Sequence, residues 1–414
     1  MGSGGFDGRV VAVNPALGVP RLEAACDLAL ISVPAAAVPE AVADAARAGC
    51  KAAIVLSSGF GETGEEGRRV EAQLAATARA AGMRLVGPNC MGVVSRYGEG
   101  WLNGSYFWDQ ILPPLRRGEG RVGGPPSDIS LITQSGAFGG MFFAEARRRG
   151  LGVARFLSVG NSADVDETDV LEHLGQDPAT GVIGIFAEAF RHGRRFVEVA
   201  RRVTRSRQVV VLKAGKASRG AAAAASHTGS LAGRHAAAQA GFRRAGVIEA
   251  ADSGAFFDAL AVLSMNGRVA GNRVAILTIS GGPGVLASDE AEVAGLALPP
   301  PAPGTIEVLR RLAPSFAALG NPVDLTPQCP PDRFAEAIAA VFEDPGYDGV
   351  VVINCGLDIP EFGEGVVRAA GRTRKPVTAY VLQTPRIEAA LRAAGIPLLD
   401  SPERAVGAFA AGVG

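Results

Sequence analysis

The sequence lacks any excess of charge of one sign. Its 41 basic and 41 acidic residues cancel, so no overall field exists that would recruit nucleic acid or an anionic membrane. No apolar run approaches the roughly 18 residues that a membrane-spanning helix needs. The first residues, MGSGGFDGRV, lack the charged and apolar regions of a signal peptide. These absences argue against a nucleic-acid or membrane partner and predict a soluble protein.

Cysteines and aromatic residues are also scarce. The cysteines are odd in number and show no CxxC or metal-ligand spacing: Cys26, Cys50, Cys90, Cys329 and Cys355. This argues against a disulfide framework and a zinc site, and we expect no metal site and a reducing, cytoplasmic location. Hydrophobic residues make up 48% of the chain, aromatic residues only 6%, and there are 55 glycines. A core of small aliphatic side chains with many tight turns favours the α/β class.

Short apolar strands alternate with alanine-rich helices along the chain, which is typical of parallel sheets with crossover helices. A chain of 414 residues is long enough for two or three domains. In the first part, strands are predicted at residues 10–13, 28–33, 52–56 and 84–86, and helices at 38–48 and 64–81. Residues 95–127, with two tryptophans and paired prolines, predict an irregular linker or flap.

Two later blocks begin with nearly the same segment, LITQSGAFGG at 131–140 and ILTISGGPGV at 276–285. The repeat predicts two related flavodoxin-like units, and hence domains at residues 1–124, 125–268 and 269–414. Small residues at a helix start leave backbone N–H groups that can hold a phosphate. One such turn is equally well explained as an ordinary structural turn. Two matching turns favour one anion shared between two helix ends.

His227 differs from the other histidines because it lies among small residues, in SHTGSLAG at 226–233. Its imidazole is therefore uncrowded, as a nitrogen nucleophile that receives phosphate requires. A loop histidine that caps a backbone carbonyl is the alternative interpretation. The remaining histidines lie in contexts that indicate solvated side chains: His173, His192 and His235.

Several segments resemble the ADP-forming acyl-CoA synthetases, relatives of succinyl-CoA synthetase. SHTGSLAG is similar to the phosphohistidine loop of that family. The other similar segments follow in order: SVPAAAVPEAV at 32–42, SSGFGETGEEG at 57–67, VGPNCMGV at 86–93, TQSGAFG at 133–139, SVGNSADVDETDVLEHL at 158–174, SGGPGVLASD at 280–289 and GNPVDLT at 320–326. The resemblance implies an α-type ligase subunit in which a Rossmann-like CoA-binding domain precedes two flavodoxin-like domains.

The resemblance also implies roles for particular residues. His227 is expected to be the phosphorylated nucleophile, and Glu188 its acidic partner, which would fix the imidazole tautomer. An alternative for Glu188 is a strand-end carboxylate that pairs with Arg191 or Arg194. The residues expected to begin phosphate-facing helices are Ser135, Gly136, Gly281, Gly282 and Gly284. Those expected to border CoA and the acyl group are Pro34, Ser58, Gly59, Phe60, Pro88 and Asn89.

Finally, the resemblance implies a hetero-oligomer. CoA and a small carboxylic acid are the expected substrates, and a separate ATP-grasp β-type subunit is expected to hold ATP or ADP and Mg²⁺. Members normally begin with a strand and a glycine-rich loop that receives CoA, whereas GRVVAVNP at 8–15 resembles their second strand. Either the true start lies upstream, or the loop was lost and the protein binds CoA poorly or uses another acceptor. For the chain as given we expect weak CoA affinity. Alternatives are a non-catalytic acyl-CoA-binding or regulatory protein, a ligase with another acceptor, and the ligase-like half of a protein acyltransferase.

Overall fold

The computed structural model describes residues 6–14, 19, 21–22, 24–97, 100–107, 128–220 and 235–413. These residues form two compact units, which divide between Ala251 and Asp252. Each unit is built on sheets whose parallel strands alternate with helices. Within the described ranges, no helix combines the length and the apolar character that crossing a bilayer requires.

A three-stranded parallel sheet lies at the beginning of the first unit. Its strands, in spatial order, are β1 (Leu28–Ile31), β2 (Ala52–Val55) and β3 (Arg84–Val86). The crossover helices are α1 (Val38–Arg47) and α2 (Glu65–Ala80). Helix α1 buries residues spaced four and three apart, Val38, Val42 and Ala45, as an amphipathic helix on a sheet does. Because the strands are parallel, their carboxyl ends all lie at one edge.

The strand predicted at residues 10–13 is absent. Its valines are 54%, 48% and 44% exposed at Val10, Val11 and Val13. The backbone nearby forms an isolated antiparallel bridge between Asn14 and Val19. An apolar run becomes a strand only where a sheet edge pairs its backbone groups and buries alternate side chains. No described strand pairs with this run, and the prediction is wrong.

A seven-stranded sheet forms the rest of the first unit. Its strands are β4 (Gly92–Tyr97), β5 (Gly100–Ser105), β6 (Ile129–Thr133), β7 (Val153–Ser158), β8 (Val182–Ala187), β9 (Gln208–Lys213) and β10 (Ile248–Glu249). The spatial order is β10-β9-β8-β6-β7-β4-β5. The helices between its strands are α3 (Gly136–Arg149), α4 (Glu167–Leu174), α5 (Gly193–Val203) and α6 (His235–Ala245). The five parallel strands have the flavodoxin order, with the first strand between the second and the third.

Strands β4 and β5 form an antiparallel hairpin that extends this sheet, since β4 also pairs antiparallel with β7. The irregular linker predicted from residue 95 is therefore wrong for residues 95–97 and 100–105. The side chain of Trp101 is buried. Phe107, just after β5, packs edge-on against Phe156 of β7. The hairpin is stabilised by tertiary packing that its glycine-interrupted pattern does not reveal.

The two sheets of the first unit are joined through residues 163–165, which follow β7. The amides of Ala163 and Val165 donate to the carbonyls of Gly87 and Leu85 at 3.0 Å each. The buried carboxylate of Asp164 accepts from the Leu85 amide at 2.9 Å and from arginines of α2 and β3. These contacts fix the end of β3 against the second sheet.

The second unit contains a five-stranded sheet of order β12-β13-β11-β14-β15. Its strands are β11 (Val274–Thr278), β12 (Ala318–Leu319), β13 (Val323–Asp324), β14 (Gly349–Cys355) and β15 (Val377–Leu382). Its helices are α7 (Ser253–Asn266), α8 (Gly281–Val293), α9 (Pro303–Leu312), α10 (Phe334–Glu343), α11 (Pro360–Thr373), α12 (Pro385–Ala393) and α13 (Pro402–Gly412). The parallel strands again place the first strand between the second and the third, which confirms the flavodoxin-like expectation.

Candidate functional site

The topological switch point of the seven-stranded sheet lies between β6 and β8. In open α/β sheets, ligands bind outside the carboxyl ends of the strands at this position. Residue 134 follows β6, and residue 188 follows β8. The topology therefore brings the TQSG turn and Glu188, which the sequence analysis selected separately, to one crevice.

The turn after β6 is closed by Thr133 and Ser135. The Ser135 amide donates to the Thr133 hydroxyl at 3.0 Å, and that hydroxyl donates to the Ser135 carbonyl at 2.8 Å. The Ser135 hydroxyl accepts from the Phe138 amide at 3.4 Å as the N-cap of α3. A Cβ at Gly136 would lie 2.3 Å from the Met91 side chain. A small residue is thus required where α3 begins.

Glu188 lies directly after β8 and is 8% exposed. Its carbonyl accepts from Lys213 Nζ at 2.6 Å, and Lys213 itself is buried at the end of β9. Burial holds the pKa of the Lys213 ammonium below its ordinary value and outweighs the opposing effect of the carboxylates of Glu188 and Glu249. A buried carboxylate at a switch point can accept a hydrogen bond from an imidazole and orient it. His227, its expected partner, lies outside the described residues.

Arg191, one alternative partner of Glu188, lies beyond the same strand. Its guanidinium donates to the Asn161 carbonyl at 3.2 Å and lies 4.0 Å from the Glu71 carboxylate. Through these contacts, Arg191 binds residues that lie between the two sheets of the first unit.

Two residues that sequence reasoning missed support the Glu188 segment. The Gln134 side chain binds the backbone of residues 188 and 189, and it also donates to Glu167 Oε2 at 3.1 Å. Glu167 is 1% exposed, and burial raises its pKa to about 7. The sequence could have indicated Gln134, because a long polar side chain lies there between a strand end and a helix N-cap. Glu167 gave no comparable signal, because its segment otherwise predicts an ordinary capped helix.

The residues expected at the CoA site lie at the carboxyl edge of the three-stranded sheet. Pro34 follows β1, residues 58–60 follow β2, and residues 88–89 follow β3. The Ser57 hydroxyl donates to the Val33 carbonyl at 2.5 Å, and the Asn89 amide donates to the Ser57 carbonyl at 2.9 Å. The structure thus brings the three loops together at the edge where α/β sheets bind ligands.

Within these loops, Gly59 and Phe60 contribute differently. Gly59 has φ +107°, and a Cβ there would lie 3.0 Å from the Ala35 side chain, so this close approach of two loops requires glycine. Phe60 is 1% exposed and packs in the core of the three-stranded sheet. Its side chain stabilises the loop after β2 by packing in this core.

Asn161 links the same loops to the seven-stranded sheet. Its Oδ1 accepts from Asn89 at 3.2 Å, and its Nδ2 donates to Glu62 at 2.6 Å and to Glu71 at 2.8 Å. Glu62 also accepts from the Gly59 amide at 2.6 Å. Burial opposes ionisation of Glu62, but the hydrogen bonds from Gly59 and Asn161 hold its pKa below the ordinary value. The network orders the predicted CoA edge.

The second unit repeats the turn with Thr278 and Ser280. The Ser280 amide donates to the Thr278 hydroxyl at 2.8 Å, and that hydroxyl donates to the Ser280 carbonyl at 3.0 Å. The Ser280 hydroxyl accepts from the Cys355 amide at 3.0 Å, across the switch point of this sheet. It makes no capping bond to α8.

The three glycines at the start of α8 have different surroundings. A Cβ at Gly284 would lie 3.2 Å from the Thr278 methyl group, so Gly284 permits close packing of helix on strand. A Cβ at Gly281 would lie 3.1 Å from a carboxylate oxygen of Asp324. A Cβ at Gly282 would meet nothing within 4 Å. The first turn of α8 therefore has free space beside Gly282, whereas Gly281 lies next to the carboxylate of Asp324.

Three family models match the chain in order. A CoA binding domain matches residues 6–96, a succinyl-CoA ligase like flavodoxin domain matches residues 126–263, and a ligase-CoA domain matches residues 274–358. Together these matches define a chain of the succinyl-CoA ligase type, with CoA-binding and flavodoxin-like parts.

Individual relatives show which members of this class the chain resembles. The ADP-forming acetate–CoA ligase I subunit alpha of Pyrococcus furiosus is 39% identical over 396 residues, which cover 93% of this chain and 82% of that subunit. The ADP-forming acetate–CoA ligase I of Archaeoglobus fulgidus is 38% identical over 98% of this chain, which spans 58% of that protein's length. The chain belongs to the family of ADP-forming acetate–CoA ligases.

A solved structure agrees with this assignment. It is the dinucleotide forming acetyl-coenzyme A synthetase 1 of Ca. Korarchaeum cryptofilum in complex with phosphate and ADP. The TM-score is 0.88 at 33% identity, with 99% of this chain and 89% of that chain covered. The fold class expected from the sequence is therefore confirmed.

Proposed function

We propose that the chain is the α-type subunit of an ADP-forming acyl-CoA synthetase. It catalyses, with a partner, the reversible reaction of a carboxylate, ATP and CoA to acyl-CoA, ADP and phosphate. The observation that carries the proposal is the 39% identity to a subunit alpha of this class across 93% of the chain. A separate ATP-grasp β-type chain holds the nucleotide and Mg²⁺, and the complex is a cytoplasmic hetero-oligomer.

Three domains, with proposed bounds at residues 1–124, 125–268 and 269–414, have separate roles. Helix α7, which lies at the end of the second of them in sequence, belongs to the second compact unit. In the first domain, the strand ends of the small sheet bind CoA and the acyl group through Pro34, Ser58, Gly59, Pro88 and Asn89, with Phe60 supporting the β2 loop. The loops' mutual hydrogen bonds support this role, because they hold one continuous edge in place.

In the second domain, His227 carries the phosphoryl group. Its ring nitrogen attacks the terminal phosphorus of ATP and ADP leaves; the phosphoryl group then passes to the substrate carboxylate, which forms an acyl phosphate. The CoA thiol attacks the acyl carbon, loses its proton, and phosphate departs. Glu188 accepts a hydrogen bond from the other ring nitrogen and holds the reactive tautomer. Its buried position after β8 supports this role.

Each of two helix starts provides a position that can hold a phosphate. Ser135 and Gly136 begin α3, and Gly281, Gly282 and Gly284 begin α8. Free N–H groups and the helix dipole favour a phosphate at such positions. The matching threonine–serine turns before both helices support a common use of the two motifs.

The proposal is tested by reconstitution with the ATP-grasp chain encoded by the same organism. Purified complex, ATP, Mg²⁺, CoA and a panel of short carboxylates should give a CoA thioester and ADP in equal amounts. The reaction should fail when either chain is omitted. Failure of the complex with every carboxylate, although the ATP-grasp chain works with a relative's α subunit, would contradict the proposal.

A further inference from the structure

The hydrogen-bonding capacity of the Gln134 side-chain amide is fully used. Its Oε1 accepts from the amides of Glu188 at 2.7 Å and Ala189 at 3.1 Å. Its Nε2 donates to the Ala189 carbonyl at 2.8 Å and to Glu167 Oε2 at 3.1 Å. A side-chain amide has two donors and two acceptor sites. The reversed amide would place oxygen against a carbonyl and a carboxylate, so the network defines the orientation.

The second unit shows that the turn itself does not need glutamine. Ile279 occupies the matching position between Thr278 and Ser280, and it is buried. The hydroxyl and amide bonds of this turn nevertheless have the same pattern as those of Thr133 and Ser135. Three of the four hydrogen bonds of Gln134 therefore serve the loop at residues 188–189, the fourth binds Glu167, and none is needed for the turn.

Glu167 is a fixed anchor for Gln134. It is the first residue of α4, whose N-cap Asp166 accepts from the amides of Thr168 and Asp169 at 2.9 Å each. Asp169 completes a capping box. A carboxylate on a rigid, buried helix start leaves Gln134 little freedom to change rotamer.

We propose that Gln134 is a positioning residue that sets the place of Glu188 relative to the start of α3, and that Glu167 holds Gln134 for this purpose. The catalytic consequence rests on the proposed function, since it assumes that Glu188 orients His227. Both ends of the connection lie at the switch point, because Gln134 follows β6 and Glu188 follows β8. The Gln134 side chain thereby connects the turn before α3 to the backbone segment that carries the Glu188 carboxylate.

Hydrogen–deuterium exchange of the full chain tests the contact without reference to activity. In Gln134→Ile, which copies the second unit, the amides of Glu188 and Ala189 should exchange at least about tenfold faster than in the wild type. The amides of Val182–Ala187 and of Ser135 should keep their protection. Unchanged exchange at residues 188 and 189 would overturn the proposal, and so would a general loss of protection across β6 and α3.

Kinetics of the reconstituted complex test the consequence. Gln134→Met, which is close in shape but cannot make these bonds, should lower kcat by about 10- to 100-fold, the size expected for a misplaced catalytic group. The KM for CoA should stay within about twofold, because none of the four hydrogen bonds of Gln134 goes to the loops of the proposed CoA edge. Asn266→Leu is the matched control, since its buried amide holds the Val377 carbonyl, and it should leave kcat unchanged.

The outcomes separate the two proposals. A kcat of Gln134→Met equal to that of the wild type, or a loss matched by Asn266→Leu, would overturn the positioning role. A wild-type complex that makes no thioester would contradict the proposed function instead. In that case the exchange rates at residues 188 and 189 still decide whether Gln134 holds this loop.

Discussion

Replacing Glu167 with glutamine should remove a pH-dependent penalty on the stability of the first unit. The side chain is buried, and desolvation, with a smaller contribution from the charge of Asp166, raises its pKa from 4.5 to about 7. This pKa difference of about 2.5 corresponds to about 3 to 4 kcal/mol, because one pKa unit is about 1.4 kcal/mol. Glutamine stays neutral and can still accept the hydrogen bond from Gln134.

The penalty grows with pH because the folded state retains this proton when the unfolded state has lost it. Below the unfolded pKa the carboxyl is protonated in both states and costs nothing. Between pH 4.5 and about 7, stability falls by up to about 1.4 kcal/mol per pH unit. Above pH 7 the full penalty of about 3 to 4 kcal/mol remains.

This effect is measured by urea unfolding at pH 5, 6, 7 and 8, with hydrogen exchange of the α4 amides as the probe of unfolding. The stability advantage of Glu167→Gln over the wild type should increase across the series and level off above pH 7. Glu66→Gln is the control, because Glu66 is exposed and its pKa is lowered by Arg69, and it should show no such increase. A difference between Glu167→Gln and the wild type that is equal at pH 5 and pH 8 would refute the reasoning.

Three further predictions concern the partner, the catalytic pair and the CoA edge. The isolated chain should form no CoA thioester from ATP, measured by thiol consumption, and adding the ATP-grasp chain should restore turnover. Glu188→Gln should lower kcat by about 10² to 10⁴, whereas His227→Asn should abolish turnover without changing the circular dichroism spectrum. Asn161→Ala should lower the free energy of unfolding by about 1–3 kcal/mol, measured by urea denaturation, because Glu62 and Glu71 lose a buried donor.

Periodicity predicted the three strands of the small sheet. Residues 84–86 were predicted with the observed bounds of β3, and the predictions at 28–33 and 52–56 contain β1 and β2. Residues 10–13 have the same apolar character but remain exposed, since strand formation depends on an available edge and not on the run alone. The β4–β5 hairpin was missed for the converse reason: glycines interrupt its pattern, while packing of Trp101 and Phe107 stabilises it.

The candidate site was predictable only where a motif marks it. The turn at Ser135 and Gly136 could be selected from sequence, because a strand end followed by small residues and a helix start is recognisable. Glu188 was selected only through the resemblance to the ADP-forming acyl-CoA synthetases. Their supporting contacts could not be selected from sequence. Gln134 binds a loop that is more than fifty residues away in sequence, and Glu167 can anchor Gln134 because its side chain is buried. Both contacts depend on the strand order that brings β6 beside β8.

The central claim is that His227 carries a phosphoryl group, and labelling tests it most directly. The reconstituted complex is incubated with ATP labelled at its terminal phosphate, and acid-labile, base-stable label is measured on this chain. The wild type should be labelled on His227, identified by peptide mapping, and the label should leave on addition of the carboxylate and CoA. His227→Asn should carry none. Undiminished labelling of His227→Asn, or an unlabelled wild type in a complex that turns over, would contradict the account.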